Sequence, residues 1–348
     1  AHVVTCDTWR RELHPVYDLA SFWYLFRLCR RERFDLVVTH TSKGGFLGRT
    51  SAWLARVPKI IHTAHGFAWH EFSSRAANAF YTILERVAAH FCDLIICVNY
   101  EDRQAAIDRH VVPAGKIVTV VNGIDVDRFD ITRPADLRIQ LAGEKDGAVI
   151  GVVGRLAPMK GLEYLIEAMP VILARHPYSR LVLIGDGPME AELKELARSL
   201  DVADHCEFVG FRADIPELLA CLDVFVQPSQ REAMSITLLE GLAAAKAVVA
   251  TDIKGNREVV TDGVDGVLAA PADSEALATA VNGLLDDPVR AQELGVQARE
   301  TIKRKYSQDA MVKNTLKRYD LDLGDQVGQA GQASRLTAQA KSVAGHGR

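Results

Sequence analysis

Short apolar runs alternate with stretches of helical periodicity along most of the chain. Runs at residues 2–5, 36–39, 59–63, 94–98 and 117–121 predict strands. Amphipathic stretches such as 48–56 and 75–90 predict helices between them. Residues 122–147 interrupt this rhythm with a turn-forming Asn122-Gly-Ile-Asp125, a proline and many charges. A second series follows at 149–153, 181–184, 207–209, 224–226, 247–250 and 267–268. Such alternation predicts parallel sheets with helices on both faces. The economical reading is an α/β chain of two doubly wound units, residues 1–140 and 141–305, with a helix over 306–320 packing back on the first. Residues 321–348 lack apolar periodicity and are expected to be a disordered tail.

Composition narrows the class. The 348 residues are 25% charged and 48% apolar, with a net charge of −4, which does not suit a nucleic-acid binder. The charge is uneven: residues 1–60 hold ten Lys/Arg against five Asp/Glu, a net +5, which leaves −9 for the rest. A basic first region suits anionic lipid or a phosphorylated substrate. Phe22-Trp-Tyr-Leu-Phe26 with Arg27, Arg30, Arg31 and Arg33 places aromatic and basic residues on one helix, a candidate membrane contact whose plain alternative is buried aromatics beside a solvated basic end. Six scattered cysteines without C-x-x-C spacing read as thiols of a reducing compartment. With no run long enough to span a membrane and no signal-peptide pattern, the expected location is cytoplasmic, with peripheral contact to the cytoplasmic membrane. The first residue is Ala1, and the sequence opens directly in an apolar run, as a fragment would.

Candidate chemistry centres on Pro228-Ser-Gln-Arg-Glu232-Ala-Met-Ser235 and the run behind it, through Glu240. Ser235 stands where a helix would start, with Ile236, Leu238, Leu239 and Leu242 as its apolar positions. Eight residues along a helix span about 12 Å, roughly the reach from ribose to sugar in a nucleotide diphosphate sugar. A helix start between two carboxylates offers N–H groups and a positive dipole end to a diphosphate. The plainer alternative makes Glu232 a cap and Glu240 a solvated charge. After the strand at 149–153 comes Gly154-Arg-Leu-Ala-Pro-Met-Lys160-Gly161, whose two cations at a strand end can neutralise a departing diphosphate. His65 ends another strand and would face the cleft, with His40 a weaker counterpart. Asp125-Val126-Asp127 has the spacing of a metal-holding D-x-D but sits in a turn, and reads as structural.

This ordered set resembles the GT-B glycosyltransferases of family 4. The matching elements are His65-Gly66, Asn122-Gly-Ile-Asp125, Gly154-Arg155-Leu156 with Lys160-Gly161, Gly185-Asp186-Gly187-Pro188, Glu232 and Glu240, and Gly255-Asn-Arg-Glu258 with Asp262-Gly263. Arg11-Glu-Leu-His-Pro15 and the segments around His40 and His65 are similar to members that build capsular or exopolysaccharide units. The resemblance implies two Rossmann-like domains facing across a cleft. It also implies retaining transfer of a hexosyl unit from a UDP- or GDP-sugar to a hydroxyl acceptor, a lipid-linked glycan at the inner membrane face, with no metal or other cofactor. Arg155 and Lys160 would hold the diphosphate, helped by Gly154 and the N–H groups near Ser235, Ile236 and Thr237. Glu240 would bind the ribose, Glu232 the transferred sugar, and His65 that sugar from the facing domain. Front-face attack is the implied mechanism.

The chain departs from the family pattern in reading Glu232-Ala-Met-Ser235 for Glu-Gly-x-Pro, and Glu240-Gly-Leu-Ala243 for Glu-Ala-Met-Ala. The family's opening strand and glycine-rich loop would precede residue 1. The first sheet is therefore expected to lack its opening strand, and this chain to bind nucleoside diphosphate but transfer sugar poorly. Two alternatives share the architecture: a nucleotide-sugar 2-epimerase and an inactive remnant that only binds nucleotide.

Overall fold

The computed structural model describes residues 3–10, 14–69, 74–143 and 145–320, so the expected tail at 321–348 lies outside the described residues. In the first domain β1 (Leu36–His40), β2 (Lys59–Ala64), β3 (Leu94–Cys97) and β4 (Ile117–Thr119) lie side by side in chain order, all parallel. Helix α1 (Pro15–Glu32) precedes β1, and α2 (Ser42–Leu54), α3 (Arg75–Ala89) and α4 (Tyr100–Asp108) make the crossovers. Alternation along the strands divides the core. Ile60, Ile95 and Ile117 face Ala52 and Phe67 on one side of the sheet. Ile61, Ile96 and Val120 face Met311 and Tyr319 of the helix Gln308–Tyr319 on the other. That helix belongs to the end of the chain, and Gly123 N donates to Met311 Sδ across the junction at 3.1 Å.

Two expectations are corrected here. Residues 3–5 form no strand: Val3 is 83% exposed and Val4 47%, with no sheet neighbour. A short apolar run has strand propensity, but only a pairing partner makes it a strand. The helix expected at 48–56 starts earlier, at Ser42, with Gly44 and Gly45 inside its first turn. Gly45 is there for packing, since a Cβ on it would lie 2.3 Å from His62 Cε1. His62 is buried in β2, where Thr39 Oγ1 meets its Nδ1 at 3.0 Å and burial pushes its pKa down to about 3.

The second domain holds a six-stranded parallel sheet in the order β10-β9-β8-β5-β6-β7. Its strands are β5 (Val149–Val153), β6 (Arg180–Ile184), β7 (Cys206–Gly210), β8 (Val224–Gln227), β9 (Ala247–Thr251) and β10 (Val267–Ala269). β5 and β9 are buried throughout, as a sheet covered on both faces requires. The order reverses between β5 and β8, and in such sheets that switch point opens a crevice at the carboxyl ends. Ile124, Val126 and Phe129, which precede the expected junction, share this domain's core with Val149 and Phe225.

Candidate active site

Both central loops leave the sheet at the switch point. Residues 154–161 follow β5, and residues 228–235 follow β8, its neighbour. Gly161 has φ +65°, and a Cβ there would lie 2.1 Å from Pro228 O, so only glycine lets the two loops touch. This contact brings Lys160 Nζ to 2.5 Å from Glu232 Oε1. The same carboxylate oxygen accepts from Ser229 Oγ at 3.0 Å and from Gln227 Nε2 at 3.4 Å. Gln227 Oε1 in turn accepts from Thr237 Oγ1 at 3.1 Å, and Asn256 Nδ2 donates to Thr251 O at 2.9 Å beneath them. Glu232 thus ends a polar chain that begins in the buried ends of β8 and β9.

Ser235 caps the helix Ile236–Ala243, its Oγ accepting from Leu238 N at 3.3 Å. The side-chain cap leaves the first N–H groups of the helix, near Ile236 and Thr237, without intrahelical acceptors. Glu240 lies in the second turn and is half-buried. Burial raises its carboxyl above the ordinary range, and Arg128 works in the opposite direction. Arg155 is exposed and makes no ion pair among the described residues, while Gly154 at its flank is half-buried. Asp125 precedes a short 3-10 turn, Val126–Phe129, whose end residues are buried in the core.

A cavity of about 540 Å³ separates the domains. His65, Phe67 and Trp69 line it from the first domain, and Arg231, Glu232 and Lys254 from the second. His65 Nε2 lies 3.0 Å from His40 Nδ1, and burial lowers the pKa of both rings, favouring neutral imidazoles. Phe67 and Trp69 stack with ring centroids 4.0 Å apart. Three groups of hydrogen bonds cross the cleft. Asn99 Nδ2 donates to Ala233 O at 3.0 Å, and Arg231 Nη2 to Phe67 O at 2.8 Å. Glu258 accepts from Tyr100 N at 3.0 Å and from Glu101 N at 2.7 Å. Asp102 N is taken by Asn99 Oδ1, so the first turn of α4 is capped partly by its own domain and partly by the other.

Of the residues expected from sequence, His65 and Glu232 share this cavity, and Lys160 joins them through Glu232. Arg155, Ser235, Ile236, Thr237 and Glu240 lie on the β5 loop and the capped helix and do not line it.

Residues 135–301 match the family described as Glycosyl transferases group 1, and residues 1–128 match Glycosyltransferase Family 4. Over 284 residues the chain is 33% identical to UDP-Gal:alpha-D-GlcNAc-diphosphoundecaprenol alpha-1,3-galactosyltransferase of Escherichia coli, an overlap of 80% of this chain and 73% of that one. The chain belongs to the family 4 glycosyltransferases. A second relative, the GDP-mannose-dependent alpha-(1-6)-phosphatidylinositol monomannoside mannosyltransferase of Mycolicibacterium smegmatis, is 32% identical over 69% of this chain and 64% of its own length. The fold agrees with that of Anabaena Alr3699/HepE, solved with UDP and glucose, at a TM-score of 0.78 and 24% identity, covering 89% of this chain and 84% of that one. The glycosyltransferase therefore has the GT-B fold.

Sequence reading missed Gln227 and Thr251, and it named Ser229, Asn256 and Glu258 only as parts of motifs, without the polar chain or the clasp on α4 that they form. The available signal was position: Gln227 and Thr251 are polar residues closing apolar strands, a place where an unpaired group is costly unless it serves a site.

Proposed function

We propose that this glycosyltransferase moves a hexosyl unit from a UDP- or GDP-sugar to a hydroxyl of a lipid-linked glycan, with retention, in the assembly of a cell-surface polysaccharide. The observation that carries the reading is the meeting of the β5 and β8 loops at the switch point, where Lys160 bonds Glu232 and a capped helix start separates Glu232 from Glu240. Arg155, Lys160 and the N–H groups around Ser235, Ile236 and Thr237 meet the charge of the diphosphate, with Gly154 allowing its approach. Glu240 accepts from the ribose hydroxyls. Glu232 accepts from the transferred sugar, releasing Lys160 to the phosphate, and His65 contacts that sugar from the other domain.

In this reading the bond from the anomeric carbon to the diphosphate breaks as the acceptor oxygen bonds the same face. The acceptor's proton passes to the departing phosphate oxygen. Stabilising the charge that develops on the diphosphate is the largest catalytic term. The charge is met by side chains and a helix start, so the reading calls for no metal. The acceptor class is supported by the E. coli relative, whose name carries a lipid diphosphate, and by the outward Val16, Leu19 and Trp23 beside Arg27 and Arg30 on α1, which suit a membrane surface. No described helix is long and apolar enough to cross a membrane.

The test is incubation with a panel of labelled UDP- and GDP-sugars and a lipid-linked saccharide, with the anomeric configuration of the product read by NMR. Transfer with retention is the expected result. Epimerised sugar, or binding without transfer, would overturn it.

A further inference from the structure

A second depression of about 480 Å³ opens beside the cleft, lined by Arg75, Thr82, Ile83 and Arg86 of α3 and by Arg109 at the end of α4. It shares Arg109 and Asn78 with the cleft cavity, so the two adjoin. None of the three arginines forms an ion pair among the described residues, and no described carboxylate lines the groove. Glu85, beside Arg86 in the chain, is buried against Arg49 at 3.0 Å, and Asp108, beside Arg109, accepts from Gln104 at 2.8 Å. Two of the cations are held in place. Arg86 Nη2 donates to Arg109 O at 2.8 Å, and the Arg109 guanidinium lies 5.6 Å from the centre of the Trp69 ring.

Helical spacing gives α3 two outward faces. Arg75, Thr82 and Arg86 line the groove, while Phe80, Ile83 and Val87 form an adjoining apolar stripe, 57%, 58% and 45% exposed. Several guanidinium forks around one groove match a diphosphate better than a single phosphate. A contiguous exposed apolar stripe beside them asks for a hydrocarbon partner.

We propose that this groove binds the diphosphate of an isoprenoid-linked acceptor, with the lipid chain along Phe80, Ile83 and Val87 and the saccharide entering the cleft past Arg109 and Trp69. This rests on the reading that the acceptor is lipid-linked. It adds a second anion site, distinct from the donor diphosphate's place at Arg155 and Lys160, and so lets donor and acceptor be held together.

The probe is farnesyl diphosphate, titrated by calorimetry into the full chain saturated with UDP, with inorganic pyrophosphate in a parallel arm. Farnesyl diphosphate is expected to bind without displacing UDP. Arg75→Glu with Arg86→Glu should weaken it by about tenfold or more, the scale set by removing charge-assisted hydrogen bonds to a phosphate. Phe80→Ser with Ile83→Ser should weaken farnesyl diphosphate but leave pyrophosphate unchanged, which separates lipid recognition from capture of free phosphate. Displacement by UDP, equal binding by the charge-reversed variant, or no binding to a protein that still takes UDP would each overturn the proposal. Failure of the unaltered protein to bind UDP or GDP would instead overturn the donor reading.

Discussion

Lys160 Nζ sits 2.5 Å from Glu232 Oε1, so the cation assigned to the diphosphate and the carboxylate assigned to the sugar hold each other. Each is pre-placed by its partner on the crevice floor. A substrate that takes both at once replaces one polar contact with two, which favours the occupied state.

Removing the exposed cation on the same loop tests the charge argument. Arg155→Ala should lower turnover roughly a hundredfold or more, the scale of one preorganised contact to a developing charge. Its fold should be unaltered, because Arg155 is exposed and outside every ion pair of the described residues. Initial rates at saturating donor, alongside a melting curve, check both halves. An unchanged rate would remove the β5 loop from the mechanism.

Glu258 clasps the start of α4 across the cleft. Glu258→Ala leaves two N–H groups of that helix without their acceptor, at a cost of about 0.5–2 kcal/mol as for a missing helix cap. The expected result is a modest fall in melting temperature with a larger fall in kcat/KM, since the two cleft walls no longer share this bond. Glu258→Gln, which keeps one acceptor oxygen, should recover part of the rate. Equal kinetics in wild type and Ala variant would show that the clasp does not set the cleft.

Burial raises the Glu240 carboxyl above its unfolded value of 4.5. A raised folded pKa means the native state binds more protons than the unfolded one just above that value, so this group's contribution to stability falls as pH rises through the window from 4.5 to the folded pKa. Glu240→Gln should therefore be more stable than wild type at neutral pH, with the difference shrinking toward about pH 4. The same variant should bind UDP or GDP more weakly, since it removes an acceptor for the ribose. Melting curves across pH with a parallel nucleotide titration test this, and a difference that grows toward acid would contradict the sign.

Arg49 is fully buried and bonded to Glu85 Oε2 at 3.0 Å and to Gly45 O at 2.9 Å. Glu85→Ala strands the guanidinium in the core, and destabilisation of about 3–5 kcal/mol is expected in chemical unfolding. Replacing both residues with apolar ones of similar size should recover much of that stability.

The sequence alone carried the strand series from β1 to β10, the start of the helix at Ser235, and the strand-end positions of His65 and Arg155. All of these are local: alternation marks a buried face, and a hydroxyl before an apolar run marks a helix start. Which strands become neighbours is a property of the whole chain. Only the tertiary structure set β5 beside β8 and so joined Lys160 to Glu232, 72 residues apart. It left residues 3–5 without a neighbouring strand, buried Arg49 against Glu85 although the sequence counted it in a basic region suited to anionic lipid or a phosphorylated substrate, and gathered Arg75, Arg86 and Arg109 around one groove. Periodicity records which way a side chain faces and is silent about what it will meet, because that meeting is chosen by packing among distant segments.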